Sequence, residues 1–193
     1  MSPIWKLRLK LQSLARSLSI IGSGSGRENM ILVALGSNLV SDTFKSSEEL
    51  LDASLKTLKK HGIFVNARSS WYRSAPVPVS DQPWFVNGVA EVDSPLDPAA
   101  LLQILHRVEG EYGRIRRERN DSRTLDLDLL AHGDQVIDRP GSLILPHPRL
   151  QERAFVLLPL AELAPGWRHP VSGLTAGEML ESLPPGQKVE RIG

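Results

Sequence analysis

Hydrophobic positions along this chain change their period several times, and each change predicts an element. Residues 30 to 35 form an apolar run closed by Gly36-Ser-Asn-Leu39, which predicts a short buried strand. Leu50, Leu51, Leu55 and Leu58 then recur at helical spacing, with Ser46 placed to cap a helix that runs to about Lys60 and ends at Gly62. Glu48 and Glu49 fall in its first turn, where the helix dipole favours acids. The pattern shortens again between Ile63 and Tyr72, predicting a second strand. A loop rich in Pro and Ser follows at 74–83, long enough to suggest a functional role. Alternation resumes from Trp84 to Val92, putting Phe85, Asn87 and Val89 on one face. Asp97 and Pro98 open a helix to about Tyr112. After an arginine-rich loop comes an apolar strand containing Asp126 and Asp128, then a turn at His132-Gly133-Asp134. A short strand at Gln135–Ile137 is expected to pair back. An apolar segment ends at Ala164, and the tail holds one short helix near Thr175–Leu183. The order βαββαβ with appendages predicts an α+β chain with a ferredoxin-like core, a mainly antiparallel sheet covered by helices.

The run Arg123-Thr-Leu-Asp126-Leu-Asp128 carries the chemistry. Strand alternation sends both carboxylates to one face and the leucines to the other. Like charges side by side on a sheet repel, and a hard cation removes that penalty. Magnesium takes one or two protein carboxylates and completes its shell with water and substrate phosphates. Arg114, Arg116, Arg117, Arg119 and Arg123 precede the pair closely. Guanidinium forks suit phosphate oxygens, so carboxylates beside arginines fit polyphosphate transfer. Taken by residues alone, an exposed solvated strand face and a solvated basic loop remain open.

Composition narrows the field. The net charge of +1 argues against a global nucleic-acid or membrane field, and no apolar run reaches the length of a membrane span. There are no cysteines, which excludes disulfides, thiolate metal sites and cysteine nucleophiles. Residues 1–29 carry Lys6, Arg8, Lys10, Arg16 and Arg27 against the single acid Glu28, so the remaining 30–193, expected as one domain, stand at −3. This basic leader fits an organelle transit peptide, an upstream start or an appended extension. A cytoplasmic location is expected, or a mitochondrial one if the leader is a transit peptide.

Six motifs occur in order: Ala34-Leu-Gly-Ser-Asn-Leu39, Ser70-Trp-Tyr-Arg73, Gln82-Pro-x-Phe-x-Asn87, Gly113-Arg-x-Arg116, Arg123-Thr-Leu-Asp-Leu-Asp128, and Pro146-His147 through Arg153-x-Phe155. Together, over about residues 30 to 165, they resemble the 6-hydroxymethyl-7,8-dihydropterin pyrophosphokinases of folate biosynthesis. The resemblance implies a ferredoxin-like fold and transfer of a pyrophosphoryl group from ATP to the hydroxymethyl of a reduced pterin, releasing AMP. It implies that Asp126 and Asp128 hold two Mg2+ ions. Arg114, Arg116 and Arg123 would stabilise the transferring group, with Glu109, Arg116, Arg123, His147 and Arg153 facing ATP. Phe85 and Phe155 would sandwich the pterin, Asn87 would bond its edge, and Ala75 and Val77 would line the same pocket. A monomer with small-molecule substrates, no nucleic acid and no membrane is expected.

Three departures from the family pattern stand out. Asn120-Asp121-Ser122 replaces a common Trp-Gly-Pro-like stretch, so a tryptophan that helps close the nucleotide pocket is missing. Ser142 and Ile144 stand where an arginine and a threonine often assist ATP. Ala75 replaces the first of two common prolines, which loosens the loop at 74–83. The rival readings are a DxD-type glycosyl- or nucleotidyl-transferase and a ferredoxin-like nucleic-acid module. The −3 charge outside the leader counts against the second.

Overall fold

The computed structural model describes residues 29–39, 43–114, 123–139 and 143–193. Residues 1–28 of the basic leader, Arg116, Arg117, Arg119, Asn120 to Ser122 and Ser142 lie outside the described residues.

The chain is mixed helix and antiparallel sheet. Strand β1 (Ile31–Ser37) lies in the middle, with β5 (Asp126–His132) antiparallel on one side and β4 (Phe85–Asp93) on the other. β4 then pairs along its length with β2 (Phe64–Arg68) and β3 (Tyr72–Ser74), and β8 (Val189–Arg191) adds to β3 at the edge. A separate hairpin joins β6 (Ile137–Arg139) to β7 (Leu143–Leu145).

Helices cover both sheet faces. Under one face, α1 (Ser47–Lys60) and α2 (Pro98–Glu111) bury Leu50, Leu51, Leu58, Leu101 and Leu105 against Val33, Leu35, Leu127 and Leu129. Both starts are capped as expected: Ser46 Oγ accepts from Glu49 N at 3.2 Å, and Asp97 Oδ1 accepts from Ala99 N and Ala100 N at 2.9 Å. Gly62, just past α1, has φ +79°, a conformation other residues adopt only with strain. On the opposite face, α3 (Ala154–Leu163) and α4 (Ala176–Glu181) pack on Leu32, Val89 and Leu130. The residues that succeed these along the strands on that face are Ala34 and Gly36, Asn87, and Asp126 and Asp128. The apolar cover stops and a polar floor begins.

Two expectations need correction. The strand predicted over Ile63–Tyr72 is broken at Ser69-Ser-Trp71. Ser69 Oγ accepts from Val89 N at 3.1 Å, so a side chain interrupts the ladder. Trp71 turns into the space over Gly88, where an added Cβ would lie 2.5 Å from the indole. The strand predicted at 135–137 does not return to β5. It begins at Ile137 and pairs with β7, setting Ile137 opposite Leu145 in a hairpin of its own.

Candidate active site

Antiparallel register brings the candidate residues into rows across one sheet face. Asp126 stands opposite Gly36, Gly36 opposite Asn87, and Asn87 opposite Tyr72. In the next row, Asp128 faces Ala34 and Ala34 faces Val89. The β1 positions beside the aspartates are therefore small, and no bulky side chain fills the space between Asp126 and Asn87. A Cβ on Gly36 would already lie 3.4 Å from Asn87 Oδ1 and 3.8 Å from Asp126 Cβ.

Asp126 is clamped by arginine on both oxygens. Arg114 Nη1 lies 2.7 Å from Oδ1, an ionic contact without hydrogen-bond geometry, and Arg123 Nη1 donates to Oδ2 at 2.7 Å. Burial pushes the pKa of this carboxyl up, but the two guanidiniums outweigh it and hold the group below its ordinary range. It is ionised throughout the neutral range.

Arg114 is itself held from behind. Glu109, near the end of α2 and 1% exposed, contacts the same Nη1. Its carboxylate also accepts from Leu127 N at 2.8 Å. β5 is the edge of the sheet, so this amide points outward and needs an acceptor. The structure therefore puts Glu109 beneath Arg114 and β5 rather than on the open face, and sequence reasoning did not foresee this role.

Asp128 is held more loosely. Arg153 Nη1 lies 3.4 Å from Oδ2 and His147 Nε2 lies 3.7 Å away. His147 Nδ1 accepts from Arg149 N at 3.2 Å, which fixes the neutral tautomer with its proton on Nε2, the nitrogen facing Asp128. Burial holds this imidazole below its ordinary range, against the opposing pull of Asp128. Arg153 caps the cluster, its guanidinium carbon 5.5 Å from the Phe155 ring centroid.

The residues proposed for a flat ligand share this face. Phe85 and Phe155 are half-buried, one at the start of β4 and one in the first turn of α3. Asn87 is buried and donates from Nδ2 to Ser74 Oγ at 2.9 Å, which leaves its carbonyl oxygen turned toward the Gly36 gap. Ala75 is half-buried and ties its amide to Lys188 O at 3.1 Å. Val77 is 42% exposed, on the loop rather than in the floor.

Asn38 is a further residue that sequence reasoning passed over. It is 4% exposed, and Oδ1 accepts from Arg123 N at 2.7 Å while Nδ2 donates to Gln82 Oε1 and Pro83 O at 3.2 and 3.4 Å. One amide thus couples the approach to the aspartate strand with the end of the Pro-rich loop. The signal was its place in Gly36-Ser-Asn-Leu39, a polar residue at the end of a buried strand.

A divalent cation fits this donor set. Two carboxylates share a face, one oxygen of Asp126 is buried with an ionic contact to Arg114 but no hydrogen bond, and Asp128 meets Arg153 and His147 only at the outer limit of contact. Among the described residues no third His, Asp or Glu joins them as a ligand cluster. That matches an ion whose remaining ligands are phosphate and water.

Comparison with known proteins gives the family. The family model described as 7,8-dihydro-6-hydroxymethylpterin-pyrophosphokinase matches residues 32–165. A 2-amino-4-hydroxy-6-hydroxymethyldihydropteridine pyrophosphokinase from Synechocystis sp. is 45% identical over 122 residues, covering 63% of this chain and 62% of that protein. The enzyme of the same name from Pseudomonas aeruginosa is 44% identical over 154 residues, covering 80% of this chain and 91% of that one. A Plasmodium falciparum HPPK-DHPS crystal structure shares the fold, with a TM-score of 0.63 and 15% identity over 83% of this chain and 45% of that one. Since the family match spans well over half of the sequence and includes both aspartates, the chain belongs to the 7,8-dihydro-6-hydroxymethylpterin-pyrophosphokinase family.

Proposed function

We propose that this chain transfers the pyrophosphoryl group of ATP to the hydroxymethyl of 6-hydroxymethyl-7,8-dihydropterin, giving AMP and the pterin diphosphate, in tetrahydrofolate biosynthesis. The observation that carries the proposal is one open polar floor. On it Asp126 and Asp128 stand among Arg114, Arg123, Arg153 and His147, beside Asn87 on the same face.

The reaction requires the pterin hydroxyl oxygen to bond to the β-phosphorus while the α–β bridging bond breaks and the hydroxyl proton departs. Four negative charges on the triphosphate must be held through this displacement. Arg114 and Arg123 present rigid donors on one side of the floor, and Arg153 with the Nε2–H of His147 present them on the other. Arg116, outside the described residues, belongs to the same assignment, with Arg117, Arg119 and Arg139 as further candidates. Asp126 and Asp128 are the residues that would hold two Mg2+ ions, which when bound supply charge neutralisation and acidify the attacking hydroxyl. Neither aspartate is cast as a general base. Glu109 acts behind Arg114, fixing where its guanidinium stands.

Phe85 and Phe155 supply flat area for the pterin, and Asn87 supplies directional bonding at its edge. That combination suits a polar heterocycle. Ala75 and Val77 complete the wall. The element order, with β5, β1, β4 and β2 as neighbours, supports a ferredoxin-like reading of the core. A monomer acting without nucleic acid, in the cytoplasm or in the mitochondrion if residues 1–29 are a transit peptide, belongs to the same proposal. The described helices include none long and apolar enough to cross a membrane.

The test is nucleotide release from Mg-ATP with and without the reduced pterin. AMP that depends on pterin, with no ADP, is expected. ADP formation, or AMP release indifferent to pterin, would refute the assignment.

A further inference from the structure

The C-terminal segment lies beyond the matched residues, which end at 165, yet it is built into both walls of the site. β8 pairs Val189 with Ser74, and Lys188 O accepts from Ala75 N at 3.1 Å. One residue earlier, Gln187 reaches the opposite wall. Its Oε1 accepts from Ala154 N at 2.9 Å and its Nε2 donates to Glu152 O at 2.8 Å. Ala154 N opens α3, and opening amides have no partner within their own helix. The residue at the cap position is Arg153, whose side chain makes no capping bond. Gln187 therefore supplies from 33 positions downstream the cap that Arg153 does not. The capped amide sits directly between Arg153 and Phe155.

We infer that Gln187 is a positioning residue for substrate capture. By holding the first turn of α3 against the strand that ends at Ser74 and leads into Ala75, it fixes where Arg153 and Phe155 stand relative to the Asn87 wall. This rests on the assignment of Phe155 and Arg153 to pterin and ATP, and it adds a specific residue to that assignment from a segment outside the family match.

The test uses the full chain with Gln187→Met, which keeps length but loses both bonds, and Gln187→Glu, which keeps an acceptor for Ala154 N. Reduced-pterin affinity is read by equilibrium fluorescence titration well below the melting temperature, beside KM for both substrates. Loss of a neutral hydrogen bond predicts roughly fivefold weaker pterin binding and a matching rise in KM for Gln187→Met, with smaller changes for Gln187→Glu. A lower melting temperature with unchanged pterin affinity and KM in Gln187→Met would overturn the inference, leaving Gln187 a stabilising cap alone. Equal losses in both variants would overturn it too, because the acceptor would then be irrelevant. If Gln187→Met does not fold, Gln187→Ala takes its place with the same expected loss, and unchanged pterin affinity in it would refute the inference. Failure of the unaltered chain to bind pterin would instead refute the underlying assignment.

Discussion

Two carboxylate clusters lie toward opposite edges of one sheet face, and they are satisfied in opposite ways. Glu162 on α3 accepts from Tyr72 Oη at 2.6 Å, from Ser70 N at 3.0 Å and from Ser70 Oγ at 2.8 Å. Arg191 stands 3.6 Å off as a secondary ionic contact. Neutral donors have filled its lone pairs, and the result ties α3 to the strand break at Ser69-Ser-Trp71. Asp128 meets the Arg153 guanidinium at 3.4 Å and the His147 imidazole at 3.7 Å, both long contacts. Its oxygens stay available to something that is neither arginine nor histidine. The contrast separates a carboxylate used to hold the fold from one held ready for a ligand. Asp126 falls between them, clamped as tightly as Glu162 but by cations that could turn to phosphate.

The strongest test of that contrast removes the ready carboxylate. Asp128→Ala should lower turnover about 1,000-fold or more, the scale of losing a main electrostatic element of a transition state. Its melting temperature should move by no more than about 2 °C, because contacts this long contribute little to stability. Pterin-dependent AMP release and a thermal melt measure both. A large drop in melting temperature would show that Asp128 serves the fold after all.

Next in size is Arg114→Ala. Arg114 is the link between the active face and the buried Glu109, so its removal leaves a buried carboxylate without that charge. Breaking a buried pair on one side costs about 3 kcal/mol or more. Urea unfolding should show that loss along with impaired turnover. Unchanged stability would mean that Glu109 is satisfied by β5 alone and that Arg114 belongs wholly to the site.

These residues also show what was legible beforehand. Asp126 and Asp128 could be placed on one face because strand alternation is local, and the register that aligns them with Asn87 follows once β1 lies between. The starts of α1 and α2 were legible for the same reason: a cap is written within four residues, whereas α3, whose cap residue makes no side-chain bond, was read only as an apolar segment. The break between β2 and β3 was not, because Ser69 and Ser70 do not forbid a strand. It depends on Trp71 finding the space above Gly88, across the sheet. The buried place of Glu109 depends on β5 being an edge strand, and Gln187 acts across 33 positions. β8 was missed because three residues after Pro-Pro-Gly carry too little pattern to mark a strand.

At the holding end of the face the expected effects are smaller and fall on stability. Glu162→Gln should cost about 1 kcal/mol, since the amide replaces one acceptor oxygen with a donor facing other donors. Turnover per folded molecule should stay within roughly twofold if this cluster is structural, because the site keeps all its charges. A large loss of turnover at intact stability would erase the distinction between the two clusters.

The finest test is pH. Burial, and then the bond that Tyr72 donates to Glu162, push the Tyr72 pKa up to about 12 from an ordinary 10.0. A raised pKa means the folded state holds this proton more tightly than the unfolded chain does. The stability it contributes is therefore fully present below the ordinary value and is lost as pH climbs through about 12. Tyr72→Phe removes the titrating group, so its urea midpoint should be lower than that of the parent at neutral pH. It should then decline less steeply than the parent across the interval from 10 to 12. Parallel declines in the two proteins would show that the phenol's proton is not tied to Glu162. The holding end would then owe its stability to Ser70 and to the apolar packing of α3, and the contrast with Asp128 would rest on two bonds rather than three.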